Sequence, residues 1–261
     1  MSFEVKLPFF DAQRIAESGQ CFRWHKAGEG EWLIPARGRV LHLREMGEDV
    51  LRLDCTLQEW ETLWRPYFDA DTDYEAVAAS IDEKDEYLLK ACRAARGVRV
   101  LRQPLFEVVI SFIISQNNNI PRIAKSIAAL CGGQDAPFPS AEAVAAMDEE
   151  RLRGFGVGYR APYIQKAARK FLQDGTEYMQ FSSYGEAKVY FESFTGIGPK
   201  VADCVCLFGL GKKDAFPMDT WMKRIVARHY DGIFPIGRYP GTAGILQQWM
   251  FFYERLGENQ P

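Results

Sequence analysis

Metal-binding signatures are missing from this chain. Its three histidines, His25, His42 and His229, lie far apart, and its six cysteines (Cys21, Cys55, Cys92, Cys131, Cys204 and Cys206) include no C-x-x-C pair. Structural zinc sites draw their ligands from closely spaced pairs, so no metal is expected. Long apolar runs are missing too. The stretch from Val108 to Ile114 is far shorter than the roughly 20 residues that cross a bilayer, so no membrane association is expected. The first residues show no basic start followed by an apolar stretch, so export is not expected and the thiols should be reduced. A strong excess of either charge is lacking as well, the formal net charge being −3. Residues 1–80 carry nine basic against fifteen acidic residues, and the remainder 23 against 20. A basic binding face, if present, must be local and lie on the second part.

What is present is ordinary globular material: 261 residues, 47% hydrophobic and 26% charged, enough for one large domain or two smaller ones. Short runs with partial alternation at 31–35, 39–43 and 50–53, separated by glycine or acidic turns, predict strands. From about residue 73 helical periodicity takes over, at 74–81, 87–96, 104–115, 120–130, 140–147, 161–172, 184–194, 199–210, 220–229 and 242–256. The expected fold class is α+β: an antiparallel sheet domain over residues 1–72, then a mainly helical domain over 73–261.

The most informative motif is Thr195-Gly196-Ile197-Gly198-Pro199-Lys200-Val201-Ala202, with Pro217-Met218-Asp219 one helix-length further on. Gly196 and Gly198 suit a tight turn that brings backbone close to a ligand. Pro199 suits the first helical position, where its missing N–H costs nothing. The free N–H groups of that first turn make an anion site, and a phosphodiester is the obvious anion. Lys200 stands in the same turn, where the positive end of the helix dipole favours the free amine, the nucleophilic form. Taken alone, these residues favour that chemistry over the plainer alternative of a solvated lysine and a capping aspartate. Ser115-Gln116-Asn117-Asn118-Asn119-Ile120-Pro121-Arg122 is a second candidate, an apolar helix ending in four amides before a new helix begins. Such a junction offers small two-sided hydrogen-bonders, and it also fits a simple capped turn.

Taken together, these segments resemble the helix-hairpin-helix superfamily of DNA glycosylases and, within it, the 8-oxoguanine DNA glycosylase/lyase family of the eukaryotic type. The resemblance is carried by Ser18-Gly19-Gln20-Cys21-Phe22-Arg23-Trp24, Val98-Arg99-Val100-Leu101-Arg102-Gln103, Ser111-Phe112-Ile113, the Asn117 to Ile123 stretch, Gly156-Val157-Gly158-Tyr159-Arg160-Ala161 and Lys200-Val201-Ala202-Asp203-Cys204. It implies a sheet domain joined to two helical subdomains. It also implies excision of 8-oxoguanine from duplex DNA, with cytosine opposite, by a protein that needs no cofactor, acts as a monomer, and works in the cytoplasm or nucleoid rather than outside the cell. By the same resemblance Lys200 is the nucleophile and Asp219 its carboxylate partner. Gly19, Cys204, Gln247 and Phe251 form the lesion pocket. Asn117, Arg122 and Arg160 hold the orphan cytosine with Tyr159 wedged beside it, and Gly196, Gly198 and Val201 meet a DNA phosphate. One departure is Trp221, where the family commonly has a histidine. A glycosylase for alkylated bases and a non-catalytic DNA clip are the competing readings. The first usually lacks the lysine, and the second has no use for Asp219.

Overall fold

Alternating apolar residues in the first third of the chain produce one sheet. Its strands are β1 (Phe3–Lys6), β2 (His25–Gly28), β3 (Glu31–Ala36), β4 (Arg39–Gly47) and β5 (Val50–Leu53), all antiparallel in the order β1-β5-β4-β3-β2. The structure, a computed structural model, describes residues 2–47, 49–175 and 181–258. The β3–β4 hairpin closes through Arg37 and Gly38, both at positive φ (53° and 71°), the turn whose twist matches that of the strands. Pro35 is tolerated inside β3 because β2 pairs only as far as Leu33, leaving that end of β3 without a second neighbour. The buried face carries Trp32, Ile34, Leu41, Leu43, Leu51 and Leu53. An aromatic helical segment, with Trp60, Trp64, Tyr67 and Phe68, packs in the same cluster. Strands β1 and β2 are additions to the sequence expectation. His25-Lys26-Ala27-Gly28 has no apolar alternation, and it forms because β3 offers it an edge.

A second, larger core gathers the helices from Tyr74 onward, and among the described residues two buried ones cross between the cores. Phe9 joins the helical cluster, its ring 5.3 Å from Trp249, and Leu101 joins the sheet cluster. Arg99, 2% exposed, fastens the junction. It donates to the carbonyls of Pro8 (2.7 Å), Phe68 (3.0 Å), Asp69 (2.6 Å) and Thr72 (3.1 Å), and its guanidinium lies 4.1 Å from the Tyr74 ring centroid. A buried cation is tolerated only when its donors are satisfied this fully.

Leu105–Ser115 is the central helix, buried from Glu107 to Ile114, and it is apolar on nearly every face, Glu107 and Ser111 being the exceptions in that stretch. Against it packs the second helix of a hairpin, Pro199–Phe208, which follows Tyr184–Glu192. The predicted helices at 74–81, 87–96, 120–130, 161–172, 220–229 and 242–256 correspond to Tyr74–Ala79, Glu86–Ala94, Ile120–Cys131, Ala161–Asp174, Thr220–His229 and Ala243–Glu258. Among the described residues no helix is long and apolar enough to cross a membrane.

Candidate active site and nucleic-acid interface

The hairpin turn is built by one obligatory glycine and one permissive one. Gly196 lies at φ 86°, and a Cβ there would fall 2.5 Å from the Tyr163 ring. Gly198 differs from the sequence expectation. It is the N-cap of Pro199–Phe208 in an extended conformation (φ −97°, ψ 179°), and a Cβ there would meet no protein atom within 4 Å. Gly198 accordingly borders open space. No side chain caps this helix, whereas Asn119, Ser183 and Asp219 each cap the helix that follows them. The first-turn N–H groups at the hairpin are thus left for an external acceptor.

Lys200 points between two connected spaces. One is a cleft lined by Gly19, Phe112, Lys200, Cys204, Phe208, Pro217, Asp219, Gln247, Gln248 and Phe251. The other is an open groove bordered by Gln116, Asn117, Gly198, Val201, Trp221 and Lys223 among others, which shares Lys200 and Asp219 with the cleft. The Lys200 Nζ lies 5.2 Å from the Phe112 ring centroid. One helical turn on, burial pushes the Cys204 thiol up to about 11, against the pull of the adjacent Lys200. Such a thiol stays neutral and serves as an apolar, polarisable wall.

Asp219 does two things at once. One oxygen accepts from the Met222 N–H at 2.8 Å as an N-cap, which fixes the carboxylate where it faces the cleft. Among the described residues it makes no ion pair with Lys200 within 4 Å, and both residues line the cavity. Gln247 is 4% exposed and donates through Nε2 to the Pro217 carbonyl at 3.2 Å, while its Oε1 has no partner. An unsatisfied buried acceptor is costly unless a ligand supplies its donor. Gly19, at φ +78°, lies so near Phe251 that a Cβ would come within 3.4 Å of that ring.

The four amides of the Gln116 to Asn119 junction divide their work. Asn118 Nδ2 donates back to the Ile114 carbonyl (3.1 Å), and Asn119 Oδ1 caps the next helix through Arg122 N–H (3.0 Å). Gln116 Nε2 donates across to the Gly196 carbonyl (2.9 Å). Asn117, held at φ 48°, is exposed, with Nδ2 3.4 Å from the Tyr159 hydroxyl. Tyr159 is exposed, and Arg160 beneath it is buried, its guanidinium 4.5 Å from the Tyr159 ring centroid. The structure therefore brings Asn117, Tyr159 and Arg160 together. Arg122 stands exposed on the first turn of its helix, with no side-chain contact to them among the described residues. Trp221 borders the groove with Arg224 5.5 Å from its ring.

Sequence reasoning left out Phe112, Phe208, Pro217 and Gln248 as cleft walls. The two phenylalanines sit in apolar helices and read as core. Pro217 was visible beside Asp219, and Gln248 beside Gln247, as a second amide in an otherwise apolar helix.

Two family models match in succession. One, described as 8-oxoguanine DNA glycosylase, N-terminal domain, covers residues 2–109. The other, described as HhH-GPD superfamily base excision DNA repair protein, covers residues 110–232. The N-glycosylase/DNA lyase of Saccharomyces cerevisiae is 32% identical over 254 residues, covering 83% of this chain and 67% of that protein, so the chain spans about two thirds of its length. Among solved structures, MBOgg1 in complex with a low-affinity DNA ligand matches with a TM-score of 0.93 at 33% identity, over 99% of this chain and 96% of that one. The 8-oxoguanine glycosylase/lyase of Clostridium acetobutylicum, in complex with double-stranded DNA containing cytosine opposite 8-oxoguanine, matches with a TM-score of 0.90 at 30% identity, over 99% and 98% of the two chains. With its sheet domain, its hairpin lysine and these matches along nearly all of its length, the chain belongs to the 8-oxoguanine DNA glycosylase family.

Proposed function

We propose that this chain is a bifunctional DNA glycosylase that excises 8-oxoguanine from duplex DNA opposite cytosine and then cleaves the strand as an abasic-site lyase. The observation that carries the reading is the placement of Lys200 and Asp219 on the rim of a cleft whose buried Gln247 Oε1 lacks a donor. The Watson–Crick edge of an extruded 8-oxoguanine offers N–H donors at N1 and N2, which suit that acceptor. Unlike guanine, the lesion also carries an N7–H, for which the Gly19 carbonyl is the acceptor. Guanine would set acceptor against acceptor there. Phe251 and Cys204 sandwich the base.

The free Lys200 amine attacks C1′ and the base leaves with the glycosidic electron pair. Asp219 stabilises the positive charge that develops on the sugar. The C1′–O4′ bond then opens, O4′ leaving as the sugar hydroxyl, and the Schiff base so formed acidifies the 2′ position; loss of that proton expels the 3′ phosphate. The uncapped first turn at Gly198, Pro199 and Val201, with Gly196 shaping the turn, holds a DNA phosphate. Asn117, Arg122 and Arg160 receive the orphan cytosine and Tyr159 fills the stack. The division of the chain near residue 72 is part of this reading, as is action as a monomer inside the cell.

The test is base release from duplexes carrying 8-oxoguanine opposite cytosine, compared with matched duplexes carrying an alkylated purine. Release confined to the oxidised base is expected. Release confined to the alkylated base, or none from either, would overturn the proposal.

A further inference from the structure

We propose that Gln116 is a positioning residue that couples recognition of the base opposite the lesion to the placement of the lysine hairpin. The inference rests on the excision activity proposed above. The two ends of Gln116 serve different structures. Its backbone carbonyl accepts from the buried Arg160, from Nε at 2.9 Å and from Nη2. Its side-chain Nε2 donates to the Gly196 carbonyl at 2.9 Å, in the turn that carries Pro199 and Lys200. Arg160 Nη2 also reaches the Asn117 carbonyl at 3.2 Å, and Nη1 the Val157 carbonyl at 3.2 Å. A second route runs through rings. Tyr163 abuts Gly196, and Tyr159 meets Tyr163 edge-on with centroids 6.4 Å apart. The hairpin turn is thus gripped between two residues, each of which touches the element that faces the orphan base.

The guanidinium has five N–H donors, and the backbone carbonyls of Gln116, Asn117 and Val157 already occupy most of them. An orphan cytosine, with acceptors at O2 and N3, competes for the same donors. Drawing Nη2 toward cytosine loosens the clamp on the Gln116 carbonyl, and Gln116 then re-seats with its amide still attached to Gly196. Adenine sets an N6 amino donor beside its N1 acceptor, opposes the fork with a donor, and leaves the clamp in place. The preference for cytosine is in this way transmitted to the turn that aims Lys200.

The experiment is single-turnover excision of 8-oxoguanine placed opposite each of the four bases, using the full chain and Gln116→Met, which keeps the side-chain length and removes the amide. Tyr163→Leu, which frees the turn from its other side, is the second variant, and thermal melts establish that each is folded. Wild type is expected to favour cytosine over adenine by about tenfold or more, and each variant to narrow that ratio by about threefold or more, through the rate opposite cytosine rather than DNA affinity. A ratio unchanged in the folded variants would overturn the coupling, as would a uniform loss opposite all four bases or a wild type indifferent to the opposite base. If Gln116→Met does not fold, the ratio for Tyr163→Leu decides. A wild type that excises opposite none of the four bases would overturn the activity itself, and the coupling with it.

Discussion

Gly196 lays its Cα directly against the Tyr163 ring, so that a Cβ would fall 2.5 Å from the ring carbon Cγ, whereas Gly198 two residues later has no protein atom within 4 Å of the same position. The two glycines of one motif therefore answer to different pressures. Gly196→Ala combines a left-handed backbone with a ring collision and should cost on the order of 2 kcal/mol or more in chemical denaturation. Gly198→Ala should change stability by less than about 0.5 kcal/mol yet weaken binding to duplex DNA, because the methyl group occupies the space a phosphate would use. Equal stability loss in both variants would contradict this division.

The hairpin helices are clamped by Asp203, which faces away from the cleft. Its carboxylate meets the Lys188 Nζ at 2.9 Å and accepts from the Tyr184 hydroxyl, both on the preceding helix. Burial pushes the Asp203 carboxyl above its usual range, and Tyr184 and Lys188 hold it back. Removing the ammonium strands a buried carboxylate. Lys188→Met should lower stability by about 2 kcal/mol, between the values for exposed and fully buried pairs. A melt indistinguishable from wild type would show the pair to be ornamental.

The carbonyl proposed to read N7 is braced from both sides. Gln248 Nε2 donates to the Ser18 carbonyl at 2.7 Å, and Gln103 Nε2 donates to the Gln20 carbonyl at 2.8 Å, so the peptides on either side of the Gly19–Gln20 peptide are both pinned. Gln248→Met should let this segment shift and lower the preference for 8-oxoguanine over guanine by about tenfold. Parallel excision assays on the two bases measure it, and an unaltered preference would count against the brace.

Arg23 and Glu107 form a buried pair at 3.2 Å that joins the segment before β2 to the central helix. Burial pushes the Glu107 carboxyl up to about 7, against the pull of Arg23. The folded chain thus holds this proton more tightly than the unfolded chain does, from the ordinary carboxylate range up to about pH 7. The associated stability is present in acid and is lost as pH rises toward 7, after which it levels off. Glu107→Gln removes this titration. Its stability relative to wild type should therefore improve between pH 5 and pH 8, by at most roughly 3 kcal/mol. Denaturation curves at the two pH values provide the check, and a constant difference would refute it.

Much of the helical part was legible because its residues obey one rule at a time. Pro104 and the four amides bracket an apolar run, and Asn119, Ser183 and Asp219 stand where caps belong. The meeting of Lys200, Asp219, Gln247 and Gly19 in one cleft was expected from the resemblance alone, since composition and periodicity do not carry distances between segments. What stayed hidden depends on tertiary context. Strand β2 needs the edge of β3, and Phe112 and Phe208 become cleft walls only where a cavity opens beside them. Arg99 and Arg160 carry charge, yet backbone carbonyls gathered from distant segments bury them, which local sequence does not foretell. Gln116 looked like one amide of four, and its reach to Gly196 appears only once the central helix and the hairpin are side by side.

The central claim, that the Lys200 nitrogen bonds to the sugar, is tested most directly by borohydride trapping on duplex DNA with 8-oxoguanine opposite cytosine, followed by mapping of the linked peptide. The account predicts a covalent adduct on Lys200 that vanishes in Lys200→Gln while that variant still binds the duplex. An adduct on another residue, or a Lys200→Gln protein that still traps and cleaves at the wild-type rate, would contradict it.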